Sequence, residues 1–373
     1  MLEVLQQAQV IENDYVKRWK QNGGRVIGYG CAFTPPEIFE AVGVLPYRLR
    51  ALGNSRTERA DARLSRFNCS FCRSCLELGL EGVYDFLDGL VETNGCDQLR
   101  GMFENWQYAR PQGFFQYLKG PHVTTTDAMD YYVRQLRAMA EATAQYFHQD
   151  FREDALREAI CRHAKIRKLL RQLNTLRERE RPALTGAEML ALTLLGTAMP
   201  SADYLGLLEE TLTAVSSREL TGYRARLVLG GSATDEIEFV RLMEDLGGLV
   251  VADMLCFGVR AFWPEWNGPD TDPWRILAEQ YLGQSLCPRM FDAFSRRLAF
   301  LLDTVDRFRA DGIVLVHNKF CDLHGIDNTL LRLRLRERNL PVLTLEKEYG
   351  GLADLGRLRT RIQAFLEQLG GQR

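Results

Sequence analysis

The sequence predicts an α/β protein: two similar lobes on parallel sheets, joined by a helical region, with a cysteine-lined cleft between them. Three observations carry this. A strand, helix, strand unit over residues 25–50 recurs over residues 226–253, with similar glycines and spacing. A second segment, Asp85-Phe-Leu-Asp-Gly-Leu-Val-Glu-Thr-Asn-Gly-Cys-Asp97, is echoed by Phe308-Arg-Ala-Asp-Gly-Ile-Val-Leu-Val-His-Asn-Lys-Phe-Cys-Asp322. Both read as Asp-Gly, a strand, an Asn, and a Cys-Asp that opens a helix. Finally, Cys69, Cys72 and Cys75 put three thiols within seven residues.

In order, Leu5, Val10, Ile11, Tyr15, Val16 and Trp19 stand at helical spacing until Asn22-Gly-Gly24 stops them, so one N-terminal helix is expected over residues 1–24. The first lobe, residues 25–127, opens with the β-branched run Arg25-Val-Ile-Gly-Tyr-Gly30. Thr34-Pro-Pro-Glu37 then starts a helix with proline in its first turn. Gly43 ends that helix and Leu45-Pro-Tyr-Arg-Leu-Arg50 is the next strand. Residues 128–222 are helical: Leu156, Ile160, Ile166, Leu169, Leu170, Leu173 and Leu176 recur at helical spacing among Arg and Glu, and the region is expected to pack on the first lobe. The second lobe, residues 223–373, repeats the opening unit from Arg226 and ends with the strand Leu340-Pro-Val-Leu-Thr-Leu-Glu346 and a helix from Leu358 to Leu369.

With 373 residues, 46% hydrophobic and 26% charged, the chain has the make-up of a globular protein with two cores. Neither a signal-peptide pattern at the start nor a run of eighteen apolar residues occurs, which predicts a cytoplasmic protein. The net charge of -2, with acids and bases interspersed, argues against nucleic acid and membrane surfaces as partners. Glycines follow the strands at Gly28, Gly30, Gly230 and Gly231, but without a Gly-x-Gly-x-x-Gly or Walker lysine pattern, so nucleotide binding is not supported.

Nine cysteines in a reducing compartment are not a disulfide framework, which leaves metal binding, catalysis and core filling. In an open parallel sheet the carboxyl ends of the strands, and the helix N-termini that follow, face the ligand crevice. Cys96 and Cys321 hold corresponding places there, and helix N-terminal amides favour thiolates. Cys31 follows the first strand, and Cys69 and Cys287 fall between second and third strands of their lobes. Cys161 reads as a bystander. Cys-x2-Cys-x2-Cys resembles part of a ferredoxin ligand run without its fourth cysteine and proline. Zinc on Cys69, Cys72, Cys96 and Cys321 is the other metal reading, and plain core packing the bland one. His317 and His324 flank Cys321 and are candidate proton donors, though a lone histidine more often only satisfies a polar contact. Glu37, near Cys31, is a candidate of the same kind, with a favourable first-turn carboxylate as its alternative. The aromatic stretch Phe257, Phe262, Trp263, Trp266 and Trp274 reads first as core and second as a wall for a flat or acyl substrate.

Gly28-Tyr-Gly-Cys-Ala-Phe-Thr-Pro-Pro-Glu-Ile38, Cys69-Ser-Phe-Cys-Arg-Ser74, Asp88-Gly-Leu-Val, Asn94-Gly-Cys-Asp97, Val251-Ala-Asp-Met-Leu-Cys256, Phe320-Cys-Asp-Leu-His-Gly325 and Arg359-Thr-Arg-Ile-Gln-Ala-Phe365 span nearly the whole chain. Together they resemble the family of 2-hydroxyacyl-CoA dehydratase subunits and the related subunits of ATP-dependent benzoyl-CoA reductase. The resemblance implies Rossmann-like or flavodoxin-like lobes with an iron-sulfur cluster between them. A 4Fe-4S cluster would be held on the positions of Cys69, Cys96 and Cys321. It also implies an acyl-CoA substrate, a paralogous subunit or second copy as partner, and an ATP-dependent iron-sulfur activator ATPase that delivers single electrons. Some relatives carry an 8Fe-9S double cubane needing about six thiolates, for which Cys31, Cys72 and Cys287 are the candidate second set and Cys75 a further thiol. The alternatives are a double-cubane reductase of a small non-CoA substrate and a non-catalytic cluster-carrying partner subunit.

Overall fold

The computed structural model describes residues 1–111, 113–263, 272–350 and 355–371. Trp266 lies outside the described residues. The two-lobed α/β expectation holds. One sheet comprises β1 (Arg25–Tyr29), β2 (Val44–Arg48), β3 (Gly89–Thr93) and β4 (Phe114–Leu118) in the order β2-β1-β3-β4. The other comprises β5 (Ala225–Gly231), β6 (Gly248–Met254), β7 (Gly312–Asn318) and β8 (Val342–Lys347) in the equivalent order β6-β5-β7-β8. Every pairing is parallel. β2, β3, β5 and β6 are buried along their whole lengths, which is why they read as continuous apolar runs rather than alternating ones. The sequence pattern does not single out β4, an edge strand whose Phe-Phe-Gln-Tyr-Leu is buried at its two ends only.

The order places each lobe's switch point between its first and third strands, β1 and β3 in one lobe and β5 and β7 in the other, and ligands bind outside the carboxyl ends of strands at such points. The lobes differ at the end of the first strand. β1 runs into Cys31, whereas β5 ends at Gly231, where φ is +144° and a Cβ would stand 1.8 Å from the Val316 carbonyl oxygen. No side chain fits there.

The helical region ties the lobes together. Helix Glu153–Thr175 packs on helix Glu37–Ala41 of the first lobe and on helix Ser201–Val215. The single N-terminal helix expected is two, Leu2–Ala8 and Asp14–Gln21, because the Asn13 side chain caps a new start by accepting from the Tyr15 and Val16 amides. Helix Gly186–Gly196, closed at its start by a capping box of Thr185 and Glu188, packs on Leu2–Ala8 and on β6 of the second lobe. Polar contacts cross directly as well: the buried Asp235 carboxylate accepts from the amides of Ala51 (2.7 Å) and Leu52 (3.1 Å), and Ser70 N–H donates to Lys319 O at 3.3 Å. Trp274 is buried beside Phe151, and Trp263 packs edge-on against Phe300.

Candidate metal centre

Three cysteines hold one structural position. Cys69, Cys96 and Cys321 are the N-cap residues of helices Ser70–Glu81, Asp97–Ala109 and Asp322–Arg336. A helix start leaves amide donors without intrahelical partners, and a thiolate is a fitting acceptor for them. Leu99 N–H donates to Cys96 Sγ at 3.4 Å, and the first-turn amides of Cys72 and Phe71 act on Cys69 as that of His324 acts on Cys321, each lowering the thiol's pKa.

The two lobes bring these thiols together. Cys69 accepts hydrogen bonds from the thiols of Cys321 and Cys72, which hold it well below the usual thiol range and push both donors well above it. Burial pushes Cys96 up to about 12. Cys69, Cys96 and Cys321 line one cavity of about 440 Å³ with Gly95, Arg100, His122, Arg289 and Phe291. A void of this size among thiols that burial otherwise penalises fits a sulfur-ligated inorganic group in its chemistry of donors. Among the described residues, no three His, Cys, Asp or Glu side chains are drawn tightly enough together to hold a single metal ion.

A second thiol set stands beside the first. Cys31, Cys256 and Cys287 line a smaller cavity of about 50 Å³ whose walls include Arg167, Arg260 and Tyr281. Gly95, in the loop that carries Cys96, joins the two: a Cβ there would come within 2.7 Å of Cys31 Sγ. Burial, with the neighbouring Cys287 and Cys256, pushes Cys31 up to about 11, and burial raises Cys287. Cys256 goes the other way. Burial would raise its thiol, but the guanidinium groups of Arg48 and Arg260 outweigh that and bring it down to about 7. The structure thus groups Cys256, rather than Cys72, with Cys31 and Cys287.

The family profile described as "2-hydroxyglutaryl-CoA dehydratase, D-component" matches residues 31–369. The chain belongs to this 2-hydroxyglutaryl-CoA dehydratase D-component family. It is 25% identical to a benzoyl-CoA reductase subunit of Thauera aromatica, with 88% of each chain covered. It is 24% identical to the (R)-phenyllactyl-CoA dehydratase beta subunit of Clostridium sporogenes, with 96% of each chain covered. With the (R)-2-hydroxyglutaryl-CoA dehydratase subunit beta of Acidaminococcus fermentans it shares 23% identity, with 99% of each chain covered.

On this D-component fold the remaining candidates divide. Cys72 lies one turn into its helix, its free thiol donating a hydrogen bond to Cys69. Cys75 is fully buried in the core, its thiol raised by burial first and by Asp235 second. Cys161 is exposed on the helical region. His317 is turned to Glu346, with Nε2 and Oε2 3.3 Å apart. His324 is buried, and burial with the Arg260 and Arg297 charges holds it well below the usual imidazole range, so it stands neutral. Glu37 is fully buried, accepts from Arg167 at 2.6 Å and from the Tyr281 hydroxyl at 2.8 Å, and forms no part of either thiol-lined wall. Cys256 is the functional candidate that sequence reasoning passed over. Its signal was the Met-Leu-Cys256 end of the β6 segment, but the internal repeat offers no match, since β2 of the first lobe runs on into Leu49 and Arg50.

Proposed function

We propose that this chain is the iron-sulfur subunit of a low-potential acyl-CoA reductase or dehydratase, working with a paralogous subunit or a second copy and receiving single electrons from an ATP-dependent activator. The observation that carries the reading is the meeting of three N-cap cysteines from two lobes, Cys69, Cys96 and Cys321, around one cavity. These residues would hold a 4Fe-4S cluster, which when bound supplies low-potential electrons and a Lewis-acidic iron. The protein's part is to fix the thiolates, aim helix amides at sulfur and exclude water. Relatives across nearly the whole chain are reductase and dehydratase subunits, which supports an acyl-CoA substrate. No helix among the described residues is long and apolar enough to cross a membrane, in keeping with a cytoplasmic site of action.

A second reading rests on Cys31, Cys256 and Cys287. With the first set they make six thiols on adjoining cavities, enough for an 8Fe-9S double cubane of the kind a reductase of a small non-CoA substrate would carry. Anaerobic reconstitution with iron and sulfide counting tests both readings. About four irons per chain supports the single cubane, about eight with nine sulfides supports the double, and a colourless, iron-free protein overturns the function.

A further inference from the structure

Arg289 is only 1% exposed, yet among the described residues its guanidinium meets no carboxylate. Its partners are main-chain carbonyls: Nε donates to Asn94 O at 2.7 Å, Nη1 to Pro121 O at 2.6 Å, and Nη2 to Gly120 O. The Phe33 ring covers the group at 4.6 Å. Carbonyl dipoles satisfy the N–H donors but leave the charge uncancelled, and burying a charge without a counter-ion is expensive. Arg50 and Arg226 are likewise buried against carbonyls. Arg289 differs from both in bordering the cavity of Cys69, Cys96 and Cys321, and it stands two residues beyond Cys287. Its charge also favours the thiolates of Cys31 and Cys287, against the burial that raises both. Sulfur, rather than carboxylate, is what this cation has to balance it.

The same carbonyls place Arg289 at a junction of three chain segments. Asn94 follows β3 and stands two residues before Cys96, while Gly120 and Pro121 follow β4. The Asn94 side chain ties these two loops, donating from Nδ2 to Gly120 O at 3.0 Å and accepting from the Gly120 amide at 2.7 Å. Arg289 brings in the third segment, the connection between β6 and β7, whose Leu277 and Met290 share one buried core with Ile27, Tyr29 and Phe33 of the first lobe. Two further bonds extend the seam, from Phe291 N–H to His122 O at 3.3 Å and from Thr124 Oγ1 to Asp292 Oδ2 at 2.8 Å. The fit is close, since a Cβ on Gly120 would stand 3.3 Å from Arg289 Nη2. One side chain therefore connects the loop that carries Cys96 with the segment that carries Cys287.

We infer that Arg289 is a positioning residue of the metal centre, clamping the Cys96 loop in its ligating arrangement and raising, through its charge, the reduction potential of the cluster held there. The electrostatic half of the inference rests on the iron-sulfur reading, whereas the clamp is a property of the cluster-free chain. A cluster gains negative charge on reduction, so a fixed cation in a poorly solvated site favours the reduced form. Removing the cation lowers the potential. Removing the carbonyl bonds frees Asn94, and with it Cys96.

Two measurements on the full-length protein separate these effects. Hydrogen exchange in cluster-free protein, read over residues 94–98 and 119–124, reports the clamp without iron. Arg289→Met should exchange at least tenfold faster there than wild type, and Arg289→Lys, which keeps the charge but not the planar fork, should fall between. After anaerobic reconstitution, a dye-mediated redox titration of the paramagnetic signal reports the charge. Arg289→Met should lower the midpoint by about 59 mV or more, a tenfold change in a one-electron equilibrium, while Arg289→Lys stays near wild type. Asn94→Ala loosens the loops but keeps the guanidinium, so it should speed exchange and leave the midpoint in place. A wild-type midpoint in Arg289→Met would overturn the electrostatic role, and wild-type exchange over 94–98 in that variant would overturn the clamp. Should Arg289→Met hold no iron, Arg289→Gln, which can keep one carbonyl bond, replaces it in the titration. Iron-free wild type would overturn the cluster reading itself, and the exchange rates would still decide the clamp.

Discussion

Arg48, at the end of β2 in one lobe, holds Cys256, just past β6 in the other: Nη2 stands 2.8 Å from Sγ and Nη1 2.9 Å from the Cys256 carbonyl oxygen. The guanidinium lies over the Phe257 ring at 4.0 Å, which fixes its plane. A sheet end of the first lobe thus prepares a thiolate on the second.

In metal-free protein the Cys256 thiol should therefore titrate near pH 7, where a free thiol titrates near 8.5. The folded value is depressed, so the stabilising contact with Arg48 and Arg260 is complete above the unfolded thiol's pKa and is lost as pH falls through about 7. Iodoacetamide labelling of Cys256, read by mass spectrometry against pH, should rise through pH 7. In Arg48→Met that rise should move up by about one pH unit or more, since one of two opposing charges is gone.

Replacing Cys69, Cys96 or Cys321 by alanine should remove most bound iron, whereas Cys161→Ala should retain it. The first three line one cavity and Cys161 is exposed on the helical region. Iron per chain after anaerobic reconstitution checks this, and equal iron in wild type and Cys96→Ala would count against the centre.

Gly95→Ala isolates the second thiol set. The added methyl would meet Cys31 Sγ at 2.7 Å and Leu99 Cδ1 at 3.1 Å, so Cys31 must move while the Cys96 helix stays capped. Iron content should fall toward that of a single cubane if the double is native, with the fold unchanged by circular dichroism.

Gly231→Ala is expected to cost about 3 kcal/mol or more, because the Cβ would collide with the Val316 carbonyl oxygen and the backbone holds φ at +144°. Gly230→Ala meets the side-chain tip of Leu315 at 3.1 Å and Met254 Cβ at an ordinary 3.9 Å, with no backbone collision, and should cost much less. Urea midpoints of the two variants give the comparison.

The duplication, the parallel strands and the placing of Cys96 and Cys321 at helix starts were legible because each rests on local pattern: continuous apolar runs, glycine punctuation, and a Cys-Asp after a strand. β4 was not, since an edge strand buried only at its ends carries a weaker pattern. The N-cap role of Cys69 was equally unmarked, as nothing in Arg66-Phe-Asn-Cys-Ser-Phe-Cys shows which thiol starts the helix.

By itself the sequence determined that two alike α/β lobes exist and that thiols stand at their functional ends. Which thiols share a cavity was decided only by tertiary structure. Spacing along the chain says nothing of how one lobe's sheet ends meet the other's, and that meeting sorts Cys72 to Cys69, Cys256 to Cys31 and Cys287, and Cys75 to the core. Glu37 shows the same division. Its place in the first turn of a helix was readable, but its engagement by Arg167 and Tyr281 depends on side chains from remote elements that only folding brings within hydrogen-bond range.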